Sequence, residues 1–160
     1  MPSLIIDGYN LIGTSHKDLK KQRDALVDTL IKYGKAKGHE ITVVFDGWKT
    51  GEAEERKSVV GGVNIVFSRI GDTADVVIER MISSRRREWI VVSSDREIAR
   101  HAWSCGSVPV SSEEFLGILQ RNTPAVFDED ADDYLMEPRK GNARQLSKKE
   151  KAVRKALQKL

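Results

Sequence analysis

The chain has a single cysteine, Cys105, in 160 residues. An internal disulfide and a cysteine-based structural zinc site are thereby excluded. No apolar run approaches the roughly 20 residues that a membrane-spanning helix needs. The opening Met1-Pro2-Ser3-Leu4-Ile5-Ile6 lacks the basic-then-apolar pattern of a secretory leader. A Walker or dinucleotide glycine loop is missing. No Ser-His-Asp set is visible either, because His16, His39 and His101 sit in unrelated contexts. These absences predict a cytoplasmic globular protein whose chemistry rests on other groups.

Charge is plentiful, and its distribution is uneven. The formal net charge is only +3, from 27 Lys and Arg against 24 Asp and Glu. Between Asn122 and Pro138 there are six acids (Asp128, Glu129, Asp130, Asp132, Asp133 and Glu137) and no Lys or Arg. From Arg139 to Leu160 there are nine bases against Glu150 alone. A near-neutral body, residues 1–121, is therefore expected to carry an acidic linker and a basic tail, residues 122–160. Basic tails commonly bind polyanions, nucleic acid above all. The alternative is a solvated helix folded back on the acidic segment.

Strand and helix signals alternate along the body. Leu4-Ile5-Ile6, Glu40 to Asp46, Val63 to Phe67 and Trp89 to Val92 are short apolar or β-branched runs that read as buried strands. Ser107 to Val110 is a further short strand, placed at an edge by Pro109. Leu19 to Tyr33 has apolar residues three and four apart and reads as a helix ending near Gly34 or Gly38. Further helices are expected from about Gly71-Asp75, over Arg96–Ser104, over Ser112–Gln120 and over Ser147–Leu160. Residues 47–62, including Gly61-Gly62, show no clear periodicity and read as a loop. The alternation predicts an α/β protein with a mainly parallel sheet and right-handed crossovers.

Three of the predicted strands run into aspartate: Asp7, Asp46 and Asp95. In a parallel sheet these carboxyl ends share one edge, where open α/β sheets place their ligands. Asp72 and Asp75 join them at the start of a helix. Asp72 has the makings of its N-cap, with Asp75 completing a capping-box-like pair. One strand-end aspartate can be a simple turn or cap residue, but several together repel unless something neutralises them. Hard divalent cations such as Mg²⁺ and Mn²⁺ prefer such oxygen ligands. A metal held there suits phosphodiester hydrolysis.

The ordered set Leu4-Ile5-Ile6-Asp7-Gly8-Tyr9-Asn10, Val43-Val44-Phe45-Asp46-Gly47, Asp72-Thr73-Ala74-Asp75 and Val91-Val92-Ser93-Ser94-Asp95 resembles the NYN-domain family of PIN-like ribonucleases. The short form with a basic tail is most similar to the YacP-like branch, whose studied members act as ribosome-associated mRNA endonucleases. The resemblance covers roughly residues 3–121, and the tail more weakly. It implies a three-layer α/β/α fold and Mg²⁺- or Mn²⁺-dependent cleavage of RNA, single-stranded or messenger, leaving a 5′ phosphate and a 3′ hydroxyl. Asp7, Asp75 and Asp95 match the family's catalytic and metal-binding acids, and Asn10 its accompanying amide. Asp46 and Asp72 are further candidate ligands, and Glu79 lies one helical turn beyond Asp75. Gly8 would allow close approach of substrate or serve a turn, and Tyr9 would stack on a base or pack. Arg56, Lys57, Arg69, Arg96 and Arg100 are candidates for RNA-backbone contacts. Lys148, Lys149, Arg154 and Lys155 of the tail would add salt-dependent affinity for RNA, substrate or ribosomal.

Two other classes compete. A non-catalytic RNA- or ribosome-binding module would keep the fold without the chemistry. An aspartyl phosphotransfer domain wants Asp-x-Asp or an acidic pair after the first strand, whereas Asp7 is followed by Gly8-Tyr9. A DNA substrate would want a threading arch, for which the sequence has no obvious counterpart.

Overall fold

At the centre lies strand β1 (Ser3–Asp7), in a six-stranded sheet of order β3-β4-β2-β1-β5-β6. The other strands are β2 (Glu40–Phe45), β3 (Arg56–Val60), β4 (Val63–Phe67), β5 (Trp89–Val92) and β6 (Val108–Val110). The computed structural model describes residues 2–12, 18–47, 54–84, 87–122 and 147–160. The acidic segment 123–138 and the linker to 146 lie outside these residues, as does His16.

β1 pairs in parallel with β2 and β5, β2 with β4, and β5 with β6. Only β3 runs antiparallel, on β4. Alternate side chains of the central strands feed two cores, as the period of a strand requires. Leu4, Ile6, Val43, Phe45, Ile90 and Val92 pack under helices α1 (Gly8–Ile12), α2 (Leu19–Lys37), α5 (Ser112–Asn122) and α6 (Lys148–Lys159). Ile5, Val44, Val66, Trp89 and Val91 pack under α3 (Ala74–Ser84) and α4 (Arg96–Ser104). Each such fully buried aliphatic side chain stabilises the fold by about 1.5–3 kcal/mol. The expected three-layer α/β/α architecture is the observed one.

Two elements depart from expectation. Residues 56–60 form strand β3 rather than loop, joined to β4 by Gly61-Gly62, both at positive φ (58° and 89°). Two successive positive-φ residues make the tight turn whose twist suits a hairpin. Arg56-Lys57-Ser58-Val59-Val60 is exposed throughout, so no buried face imposes the alternation by which strands are recognised. Helix α1 was not anticipated either, because five residues are too few to show a 3.6-residue period.

The C-terminal helix is part of the packed body. Ser147 caps it in a capping box with Glu150, and Ala156 and Leu160 are buried in the first core. The Tyr33 hydroxyl donates a buried 2.8 Å hydrogen bond to the Leu160 carbonyl.

Candidate active site

The carboxyl ends of β1, β2 and β5 lie side by side, and each is followed by an aspartate that meets a helix N-terminus. Asp7, the last residue of β1, is only 7 % exposed. Its carboxylate accepts the backbone N–H of Asn10 in the first turn of α1. Asp95 caps α4, with Oδ1 accepting from the N–H groups of Glu97 (2.8 Å) and Ile98 (3.4 Å). Asp46 Oδ1 accepts from the N–H of Ala74 at 2.7 Å, the first residue of α3, which carries Asp75 in its first turn. Helix starts leave orphan N–H groups with a positive field, so each carboxylate is held by local chemistry that the sequence encodes.

Burial and mutual repulsion oppose that field. Asp7 is pushed up from 3.8 to about 7, chiefly by burial and then by the Asp75 carboxylate. The Asn10 N–H pulls it down, and Asp46 and Asp95 add smaller upward pushes. Asp75 is raised by burial, then by Asp95, Asp46, Glu79 and Glu97. The sheet edge thus gathers Asp7, Asp46, Asp75 and Asp95, with Glu79 and Glu97 at its margin.

An all-oxygen donor set with one deeply buried carboxylate fits a hard divalent cation, which would relieve the repulsion. Among the described residues, however, no three acids stand close enough together to ligate one ion. The fit therefore lies in donor chemistry and charge alone.

Asn10 sits at the centre of a polar clamp. Its Oδ1 accepts from the Ser94 N–H at 2.9 Å and from the Ser112 hydroxyl. Ser94 Oγ in turn accepts from the Ser112 N–H at 3.1 Å. The clamp ties α1, the loop before Asp95 and the start of α5 together. Ser94 and Ser112 were not singled out from sequence, and adjacent serines before Asp95 are too common a pattern to have marked them.

Asp72 is not the cap of α3. Its carboxylate pairs with Arg69 Nε at 2.8 Å, and Asp46 reaches the helix start instead. Two residues ahead of Ala74 it lies beyond the cap position, and Arg69 three residues back offers a closer partner. Gly8 serves packing: a Cβ there would lie 2.2 Å from the Phe45 ring. Tyr9 packs edge-on against Phe45 and its hydroxyl accepts from Arg23.

The basic candidates divide. Arg56 faces Phe67 across the hairpin at the same sheet edge, and Lys57 beside it pairs with Glu55. Arg96 follows Asp95 directly, and Arg100 lies one turn further along α4; both are exposed. Lys148, Lys149, Arg154 and Lys155 lie on α6, with Lys149 over the Trp103 ring at 5.6 Å. Lys155 stands near Ser3 and Glu40 at the opposite, amino edge of the sheet.

A mainly parallel sheet of this order, with acids from three strand ends and a helix start on its carboxyl edge, defines a PIN-like domain of the nuclease type. The chain belongs to the YacP-like NYN domain family, whose model matches residues 4–159. The crystal structure of Rae1 (YacP) from Bacillus subtilis is similar at 26% identity, with a TM-score of 0.64 over 76% of this chain and 75% of that one. A tryptophan-to-leucine mutant of the same protein gives 26% identity and a TM-score of 0.62 over 76% and 77%. No curated protein matches the chain. Among the described residues, no helix is long and apolar enough to cross a membrane.

Proposed function

We propose that the protein is a divalent-metal-dependent endoribonuclease of the cytoplasm, cleaving single-stranded or messenger RNA, with the ribosome as the setting. The observation that carries this reading is the buried Asp7 among Asp46, Asp75 and Asp95 at the carboxyl edge of an NYN fold. Asp7, Asp75 and Asp95 would hold Mg²⁺ or Mn²⁺, with Asp46 as a supporting ligand. When bound, the cation supplies Lewis-acid polarisation of the phosphate and a more acidic attacking water. Asp7, pushed up to about 7 by burial and the Asp75 carboxylate, would have to be deprotonated to serve as a ligand. Asp46 fixes the start of α3 and so aims Asp75, while Asp95 is aimed by its own cap bonds to α4. Asn10 acts mainly through the clamp, holding the Asp7 and Asp95 elements at a fixed separation. Arg96, Arg100 and Arg56 are exposed beside the edge and suit backbone phosphates. Arg69 is engaged by Asp72 and would have to exchange partners.

The test is cleavage of single-stranded RNA by the purified full chain in Mn²⁺, with EDTA and Asp75→Asn as controls. Cleavage is expected in Mn²⁺ and at least 100-fold less in either control, the scale on which loss of a metal-site group acts. Cleavage undiminished in EDTA would remove the metal. RNA binding without cleavage in Mn²⁺ would make the protein a binding module.

A further inference from the structure

A wide cleft lies at the pole opposite the acids. It has a volume of about 990 Å³ between α6 and the amino ends of β1, β2 and β5, and its charged lining is Glu40 and Glu88 against Arg87, Lys155 and Lys159, with the Trp89 ring beside them. β1 separates the two poles by about 13 Å. Arg87 is shared between Glu40, at 2.8 Å, and the Trp89 ring, which it covers at 5.1 Å. Lys155 and Lys159 are exposed and have no acidic partner among the described residues. They belong to a stripe, Lys148-Lys151-Lys155-Lys159, spaced three, four and four residues apart and therefore on one helix face. Successive lysines rise by about 5–6 Å. The one acid of α6, Glu150, lies off this stripe and serves the cap.

We infer that this cleft and the α6 lysine stripe form a second RNA contact, an exosite that grips the phosphate backbone of a folded RNA while the acids act elsewhere on it. The inference rests on RNA being the substrate. A regular ladder of unpaired ammonium groups complements a phosphate backbone and reads no sequence. The position favours a folded body, because an RNA helix is broad enough to lie against both edges of the sheet at once, with the acids on one part of it and the lysines on another. Tyr33, through Leu160, holds α6 in register on the core, so the stripe is presented rigidly.

The experiment uses the full chain carrying Asp7→Asn, so that no RNA is consumed, with and without Lys155→Glu plus Lys159→Glu. Affinity is measured for an RNA hairpin of about 20 base pairs and for a single-stranded hexanucleotide, across roughly 50 to 200 mM salt. The double substitution is expected to weaken hairpin binding at least tenfold at low salt and to reduce the slope of log K against log salt by about 2. Hexanucleotide affinity is expected to change less than twofold. The neutral pair Lys155→Gln plus Lys159→Gln gives an intermediate loss. Hairpin affinity and slope unchanged within twofold would overturn the exosite. So would an equal loss on the hexanucleotide, which would assign the lysines to the cleavage groove. Failure of the nuclease reading shows separately, as absent cleavage by the unsubstituted chain, and leaves this binding measurement intact.

Discussion

Asp7→Asn is expected to stabilise the protein above neutral pH while abolishing cleavage. The folded state holds the Asp7 proton up to about pH 7, whereas the unfolded chain releases it near 3.8. Below 3.8 both states are protonated and Asp7 makes no pH-dependent difference. Between 3.8 and about 7 the unfolded chain ionises first, so folding stability falls as pH rises. Above 7 the full penalty stands. At 1.36 kcal/mol per pKa unit it amounts to roughly 4 kcal/mol, undiscounted because Asp7 is almost wholly out of solvent. Asparagine is isosteric, can still accept the Asn10 N–H and never ionises. The variant should gain roughly 4 kcal/mol near pH 8, about 10 °C in Tm for a chain of this size, and about 1 kcal/mol near pH 4.5. Urea unfolding at the two pH values, with and without Mn²⁺, measures this directly. Mn²⁺ should raise the stability of the unsubstituted protein at pH 8 and leave the asparagine variant almost unmoved. An asparagine variant no more stable than its parent at pH 8, or a gain that does not shrink in acid, would refute the reasoning.

Two further outcomes follow from local geometry. Asp95→Asn and Asp95→Ala should both remove cleavage, but only alanine should cost about 1 kcal/mol in thermal or urea unfolding, since asparagine can still cap α4. Gly47→Ala would set its Cβ 1.5 Å from the Ser68 carbonyl oxygen. The two strand ends would have to part, and a loss of about 3 kcal/mol or more, read as a lowered urea midpoint, is expected.

The sheet was legible because β1, β2 and β5 are buried on both faces and read as apolar or β-branched runs, with β4 interrupted only at Asn64. The ends that carry the acids were legible for the same reason: β1 and β2 stop abruptly at Asp7 and Asp46, and β5 reaches Asp95 after two serines. What the sequence hid were arrangements depending on distant partners. Asp46 took the helix-start part expected of Asp72, which the sequence could not show because the N–H that Asp46 satisfies is 28 residues away, while Arg69 engages Asp72 from three residues away. Asn10 was visible as an amide beside Asp7, but its use by Ser94 and Ser112 needs β5 and α5 to be brought beside β1. The basic tail was read from composition, and only packing shows that Lys155 and Lys159 stand at the amino edge. β3 escaped because an exposed edge strand has no buried face to pattern its sequence.

Why the strand-end acids should form a site at all, rather than three separate caps, turns on which effect wins at Asp7. A cap bond and a helix N-terminus favour ionisation by about 0.3–2 kcal/mol. Burial and the Asp75 carboxylate act the other way and prevail, as the rise to about 7 shows. A residue serving only as a cap would be better placed at the surface, where its charge costs nothing to hold. Asp7 instead carries a charge that the fold disfavours, at the one edge where Asp46, Asp75 and Asp95 also converge. On the proposed reading, a cation would remove that excess and its binding would be coupled to proton release at Asp7, while the short strand Ser3–Asp7, packed between β2 and β5, keeps Asp7 from escaping to solvent.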